Sequence, residues 1–144
     1  MPSPNPGHSN DLFGVAATSG SNAWAVGDAT NGTAEQTLVL HWNGRQWTQA
    51  VSPDQGGSTN GNVLVAASAT STQNAWAVGY FANGAGDSTL ILHWNGTTWT
   101  HAGSPNLGAT NALLGVAASS AGNAWAVGTF TGSDPSQALA IHCC

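Results

Sequence analysis

Short stretches in which large apolar side chains alternate with small or polar ones dominate this sequence, and they recur. In Asn22–Gly27, Trp24 and Val26 alternate with Ala23 and Ala25. Successive side chains of an extended strand point to opposite faces, so one face is bulky and the other small. A strand at Gln36–Trp42 repeats the pattern, with Leu38 and Leu40 on one face and Val39 and His41 on the other. Such strands suit a sheet covered on both sides, where a neighbour can approach the alanine face closely. No segment carries a convincing helical period.

The pattern is periodic on a larger scale. Asn-Ala-Trp-Ala-Val-Gly occurs at residues 22–27, 74–79 and 123–128, so Trp24, Trp76 and Trp125 are 52 and 49 residues apart. Leu-His-Trp-Asn-Gly-x-x-Trp-Thr occurs at 40–48 and 92–100, and a third copy begins at Ala140-Ile141-His142, where Cys143 replaces the tryptophan. Ser52-Pro53-Asp54 and Ser104-Pro105-Asn106 repeat as linkers, with Ser3-Pro4-Asn5 before the first repeat. A fixed period of this length marks a repeat architecture. Residues 1–11 read as a linker-like segment, 12–62 and 63–112 as complete repeats, and 113–144 as an incomplete one.

Each complete repeat predicts four short strands separated by Gly, Asn, Ser and Asp, the turn formers. The first strands are Leu12–Thr18, Val63–Ala69 and Leu113–Ser119. The second are the tryptophan hexapeptides and their continuations. The third are Gln36–Trp42, Ser88–Trp94 and Gln137–Cys143. The fourth are Gln46–Val51 and Thr98–Gly103, and the last repeat lacks one. Asn43-Gly44 and Asn95-Gly96 predict hairpins with positive φ at glycine. The fold class is all-β, with sheets stacked face to face as in the blades of a β-propeller. A two-sheet sandwich is the alternative, but it does not account for the period.

The segment His93-Trp94-Asn95-Gly96-Thr97-Thr98-Trp99 resembles the Asp-box hairpin, roughly Ser-x-Asp-x-Gly-x-Thr-Trp, of sialidase-type propellers. Ala-Trp-Ala-Val-Gly is similar to the matching strand of assembly-factor propellers built from the same box. Asn stands here for the box aspartate, and His for its usual Ser or Thr. The resemblance covers all three repeats and implies a propeller fold of about 50 residues per blade; it implies no activity.

Recurrence at fixed repeat positions assigns Trp24, Trp76 and Trp125, and likewise Trp47 and Trp99, to the core between sheets. Trp42 and Trp94 flank the hairpin turn and, with His41 and His93, are the candidates for a ligand-facing surface. His41, His93 and His142 share a repeat position, which suits a strand histidine bonded to neighbouring backbone better than a metal ring. His142-Cys143-Cys144 carries soft ligands but is too short for a closed metal site. No metal or other cofactor is expected. Asn31-Gly-Thr33 and Asn95-Gly-Thr97 match the glycosylation acceptor pattern, as short matches do by chance in a chain rich in Asn and Thr.

Charge narrows the function. Only 5% of residues are charged, against about 25% in an average protein. Arg45 is the only Lys or Arg, and the net charge is −5. Phosphate binding needs several cations on one face, so nucleic acid and anionic membranes are disfavoured as partners. No apolar run approaches the ~20 residues of a membrane helix. A surface made soluble by Ser, Thr, Asn and Gly suits an extracellular or cell-surface protein, although Met1–Pro6 is not a signal peptide. Catalysis is not expected. A sialidase clamps a carboxylate with several arginines, a glycosidase needs two positioned carboxylates, and each acid here falls in a predicted loop.

Three blades are too few for a ring, since propellers have four to eight. Either the chain belongs to a longer array or chains assemble. Self-association is the first functional reading, through blade faces and an edge strand comprising Ala138, Leu139, Ala140, Ile141, Cys143 and Cys144. Two copies would close six blades; a contact that does not close gives a filament. A terminal cysteine pair at such a junction could form an interchain disulfide. The alternative is a lectin-like module with one sugar site per repeat, in which multivalency strengthens weak sites. The near-identity of the repeats is what recent amplification or design leaves behind.

Overall fold

The computed structural model describes residues 2–132 and 135–143 and contains eleven antiparallel strands in three sheets. The first sheet has the order β1 (Ser9–Ser19), β2 (Asn22–Thr30), β3 (Glu35–Trp42), β4 (Trp47–Ala50). The second repeats it with β5 (Asn62–Ser71), β6 (Asn74–Ala82), β7 (Asp87–Trp94) and β8 (Trp99–His101). The third holds β9 (Thr110–Ser120), β10 (Asn123–Thr131) and β11 (Gln137–Cys143), with β11 at its outer edge. The expected strands are present, and each first strand begins one to three residues earlier than the apolar pattern indicated. No helix in the described residues is long and apolar enough to cross a membrane.

The sheets stack on one another. The first strands β1, β5 and β9 come together on one side of the stack, and the short fourth strands lie on the other. The alternation of the second strand is what lets the sheets pack. Trp24, Val26 and Val39 on the bulky face of the first sheet meet Ala75, Ala77, Leu90 and Leu92 on the small face of the second. One sheet later, Trp76, Val78 and Ile91 meet Ala124, Ala126, Leu139 and Ile141. Burying a tryptophan against alanines brings two sheets within reach without a cavity, which is how alternating large and small residues interdigitate.

The glycine that ends each tryptophan hexapeptide has a steric reason. A Cβ on Gly27 would lie 1.9 Å from the Asp11 carbonyl oxygen, and those on Gly79 and Gly128 1.9 Å from the oxygens of Val63 and Ala112. At this point the first strand crowds the second, beside register shifts at Leu12/Gly14 and Leu64/Ala66. The Asn-Gly hairpins form as expected, with φ of 91° at Gly44 and 96° at Gly96. Each is a four-residue loop held by the asparagine side chain. Asn43 Oδ1 accepts from the N–H groups of Arg45 and Gln46, and Asn95 Oδ1 from those of Thr97 and Thr98.

The linkers are fastened by the residues that repeat within them. Asp54 Oδ1 accepts from the Thr37 N–H at 2.7 Å, and Ser52 Oγ lies 2.7 Å from Thr37 Oγ1. Asn106 and Ser104 make the same contacts to Thr89, at 2.8 and 2.5 Å. The expectation that every acid lies in a loop is corrected. Asp11, Asp28, Glu35 and Asp87 lie in β1, β2, β3 and β7, because each strand extends a residue or more past its apolar core.

Candidate functional site

The three copies of Asn-Ala-Trp-Ala-Val-Gly fold alike but end in different surroundings. Trp24 and Trp76 are each 1% exposed, whereas Trp125 is 54% exposed and Val127 52%. Trp125 was expected in the core. It occupies the same register, opposite Ala117 and His142, but no sheet lies over its face among the described residues. At the other end of the stack Leu12 is 44% exposed, while its equivalents Leu64 and Leu113 are fully buried. Val15, opposite Ala25, is exposed as well. The stack therefore ends in a bulky apolar face on the third sheet and a small-residue face on the first.

These two faces are the halves of an interface the chain already makes twice. Each buried inter-sheet layer joins a Trp-x-Val strand to an Ala-x-Ala strand flanked by leucines. The outer face of the third sheet leaves the Trp-x-Val half uncovered, whereas on the first sheet the exposed apolar residues are Leu12 and Val15 of β1, since Ala25, Leu38 and Leu40 are already buried within the chain. Ala25, Ala29, Leu38 and Leu40 are buried as a separate small cluster, and Trp47, expected in the core, is only half-buried against it.

A polar relay supports each strand tryptophan. His41 Nε2 lies 2.8 Å from Asn22 Oδ1, and its ring packs on Trp24 at 4.3 Å. His93 lies 2.7 Å from Asn74 Oδ1 and stacks on Trp76 at 4.0 Å. His142 lies 2.9 Å from Asn123 Oδ1, with Trp125 at 4.5 Å. The amide of each asparagine donates onward, to Thr18, Thr70 and Ser119. The asparagine oxygen must then accept from the histidine, which holds Nε2 protonated. Burial pushes the pKa of His41 and His93 down, favouring the neutral ring. The expected partner was backbone; it is a side chain 19 residues away. The described residues contain no cluster of metal ligands.

Of the other predicted site residues, Trp99 is buried, and it meets Trp24 edge-on at 5.1 Å. Trp94 and Trp42 are half-buried rather than open. Their indole N–H groups donate to the Thr72 and Gly20 carbonyls, pinning each hairpin to the turn before its second strand. Trp94 also packs on Trp24 at 4.9 Å, across the sheet boundary. On β11, Ala138 and Ala140 face outward, while Leu139, Ile141 and Cys143 are buried. Although Cys143 is on the edge strand, its side chain is buried in the layer with Trp76, which withdraws it from interchain disulfide formation; Cys144 lies outside the described residues. Asn62 and Asn111, one residue set the pattern did not single out, are fully buried and bind the linker backbone at Gly56 and Leu107. Their recurrence, with Asn10, at one repeat position was the available signal.

No protein-family model matches this chain, and no curated protein matches it. Among solved structures, the fold is similar to that described as YCF48 bound to D1 peptide, a β-propeller protein. The TM-score is 0.56 at 16% identity, over 88% of this chain. The chain spans 39% of that structure's length. The fold is β-propeller-like, and it is built here from three sheets.

Proposed function

We propose that this chain is a non-enzymatic structural module that associates head to tail with further copies of itself. The outer face of its third sheet, carrying Trp125 and Val127, packs on the outer face of another copy's first sheet, carrying Leu12 and Val15. The observation that carries this reading is the difference between Trp76 and Trp125 within identical hexapeptides. Within the chain, every such tryptophan with a neighbouring sheet is buried by alanines and leucines. Burial of a tryptophan and a valine, at ~25 cal/mol per Å² of apolar area, rewards supplying the missing sheet. Low charge leaves little repulsion to keep copies apart.

The contact is heterologous, so its rotation decides the product. Two copies close a ring of six sheets if it matches; otherwise the same contact propagates as a filament. Once the faces are docked, the outer edge of β11 adds backbone pairing through Ala138 and Ala140 to the same contact. Light scattering at micromolar concentration, with and without reductant, tests the reading. Mass above that of one chain is expected in both conditions, and a folded species of 14.4 kDa in both would overturn it.

A further inference from the structure

Four of the six acids converge on one cleft. Asp11, Asp28, Glu35 and Asp87 line an open cleft of about 980 Å³, with Tyr80 and the apolar side chains of Phe13, Val63 and Leu114. It lies where β1, β5 and β9 approach one another, so one chain supplies its walls.

The arrangement works against the fold. Asp11 and Asp28 are direct cross-strand partners in the β1–β2 ladder, and like charges directly opposite each other destabilise a sheet. Glu35 lies opposite Thr30 on the neighbouring strand, and its carboxylate reaches 3.1 Å from where a side chain on Gly61 would begin. Asp28 is only 7% exposed. Among the described residues its carboxylate has no hydrogen-bond donor and no cationic partner. The one cation, Arg45, lies beyond the far end of β3, roughly 25 Å of strand away from Glu35. Burial, then Asp11, then Glu35 raise the pKa of Asp28. The Asp28 carboxylate is not sealed from solvent but opens onto the cleft, where a cationic group could reach it.

We propose that this cleft binds an organic cation, an alkylammonium or guanidinium group whose alkyl part rests on Phe13, Val63 and Leu114. The separated carboxylates suit two or more N–H groups on one guest better than one metal ion, because they do not gather into a ligand cluster. Asp28 supplies the innermost acceptor, and Asp11, Glu35 and Asp87 supply the field that draws the guest in. Tyr80 also lines the cleft, an aromatic ring of the kind that attracts cations. The same chemistry comes from two sources, a free polyamine or a Lys or Arg side chain on a peptide. The inference stands apart from the association reading, because the cleft is formed within one chain.

Titration calorimetry on the full chain tests it, with spermidine in one arm and the blocked peptide acetyl-Gly-Arg-Gly-Lys-amide in the other. Glutarate and magnesium chloride are the controls. Saturable binding at or below millimolar concentration is expected in at least one cation arm, and the arm that responds identifies the source. Asp28→Asn keeps the side chain's size, removes the like-charge pair, and is expected to weaken binding about tenfold or more. Glu35→Gln is the second variant, expected to weaken it less. No binding in either cation arm overturns the proposal. So does binding of magnesium alone, or an Asp28→Asn affinity equal to that of the unaltered chain.

Discussion

The segments Asn74–Gly79 and Asn123–Gly128 are identical in sequence, strand type and register, yet Trp76 is buried and Trp125 is not. The difference shows that burial in this architecture belongs to the layer between two sheets and not to the strand. A hexapeptide specifies a sheet with one bulky and one small face. Whether the bulky face is covered depends on what stands behind it. The pair is also a built-in control, since any effect that differs between Trp76 and Trp125 measures the missing layer.

The largest effect should come from breaking the covered member. Trp76→Ala removes the residue that packs against Ala124 and Ala126, and is expected to cost about 3–5 kcal/mol in urea unfolding. Trp125→Ala, measured on dissociated chains, should cost under about 1 kcal/mol. Equal costs would mean that Trp125 is covered within the single chain.

Next in size is the effect of Asp28. Its pKa in the folded chain is raised, so its favourable contribution is complete below the unfolded value of 3.8 and lost as pH rises through the folded value. Asp28→Asn should therefore stabilise the chain at pH 7 by up to about 1 kcal/mol, with the gain vanishing toward pH 3. Unfolding curves at the two pH values check it; a loss of stability at pH 7 would show that Asp28 has a partner.

The smallest effect concerns the two covered relays. His41 and His93 have lowered pKa values in the folded chain, so their contribution is complete above the unfolded value of 6.5 and lost as pH falls through the folded values. NMR titration of the ring protons should show these two histidines protonating below 6.5. A value at or above 6.5 for His93 would contradict its burial against Trp76.

Much of this was legible in the sequence. The tryptophan hexapeptides located the second strands, the Asn-Gly pairs located the hairpins with their positive φ, and the 52- and 49-residue spacings gave the sheet count. What escaped was whatever depends on position in the stack. The pattern around Trp125 is that of a core residue, and nothing local says that no sheet among the described residues lies over it. The acidic cleft escaped because only Glu35 and Asp87 share a repeat position, and it takes the sheet geometry to bring Asp11 and Asp28 beside them. The partner of His41 escaped because Asn22 reads as the turn residue that opens β2, and its side chain turns inward to the ring.

Two single-face variants test head-to-tail association most directly. Trp125→Asp disables the bulky face and leaves the Leu12–Val15 face intact, and Leu12→Asp does the reverse. Sedimentation velocity should find each variant alone at the mass of one chain, 14.4 kDa. An equimolar mixture should form a pair of one chain of each and nothing larger, because only one complementary contact remains. A Leu12→Asp variant that still associates alone, or a mixture that stays at the mass of one chain while the unaltered protein does too, would contradict the account.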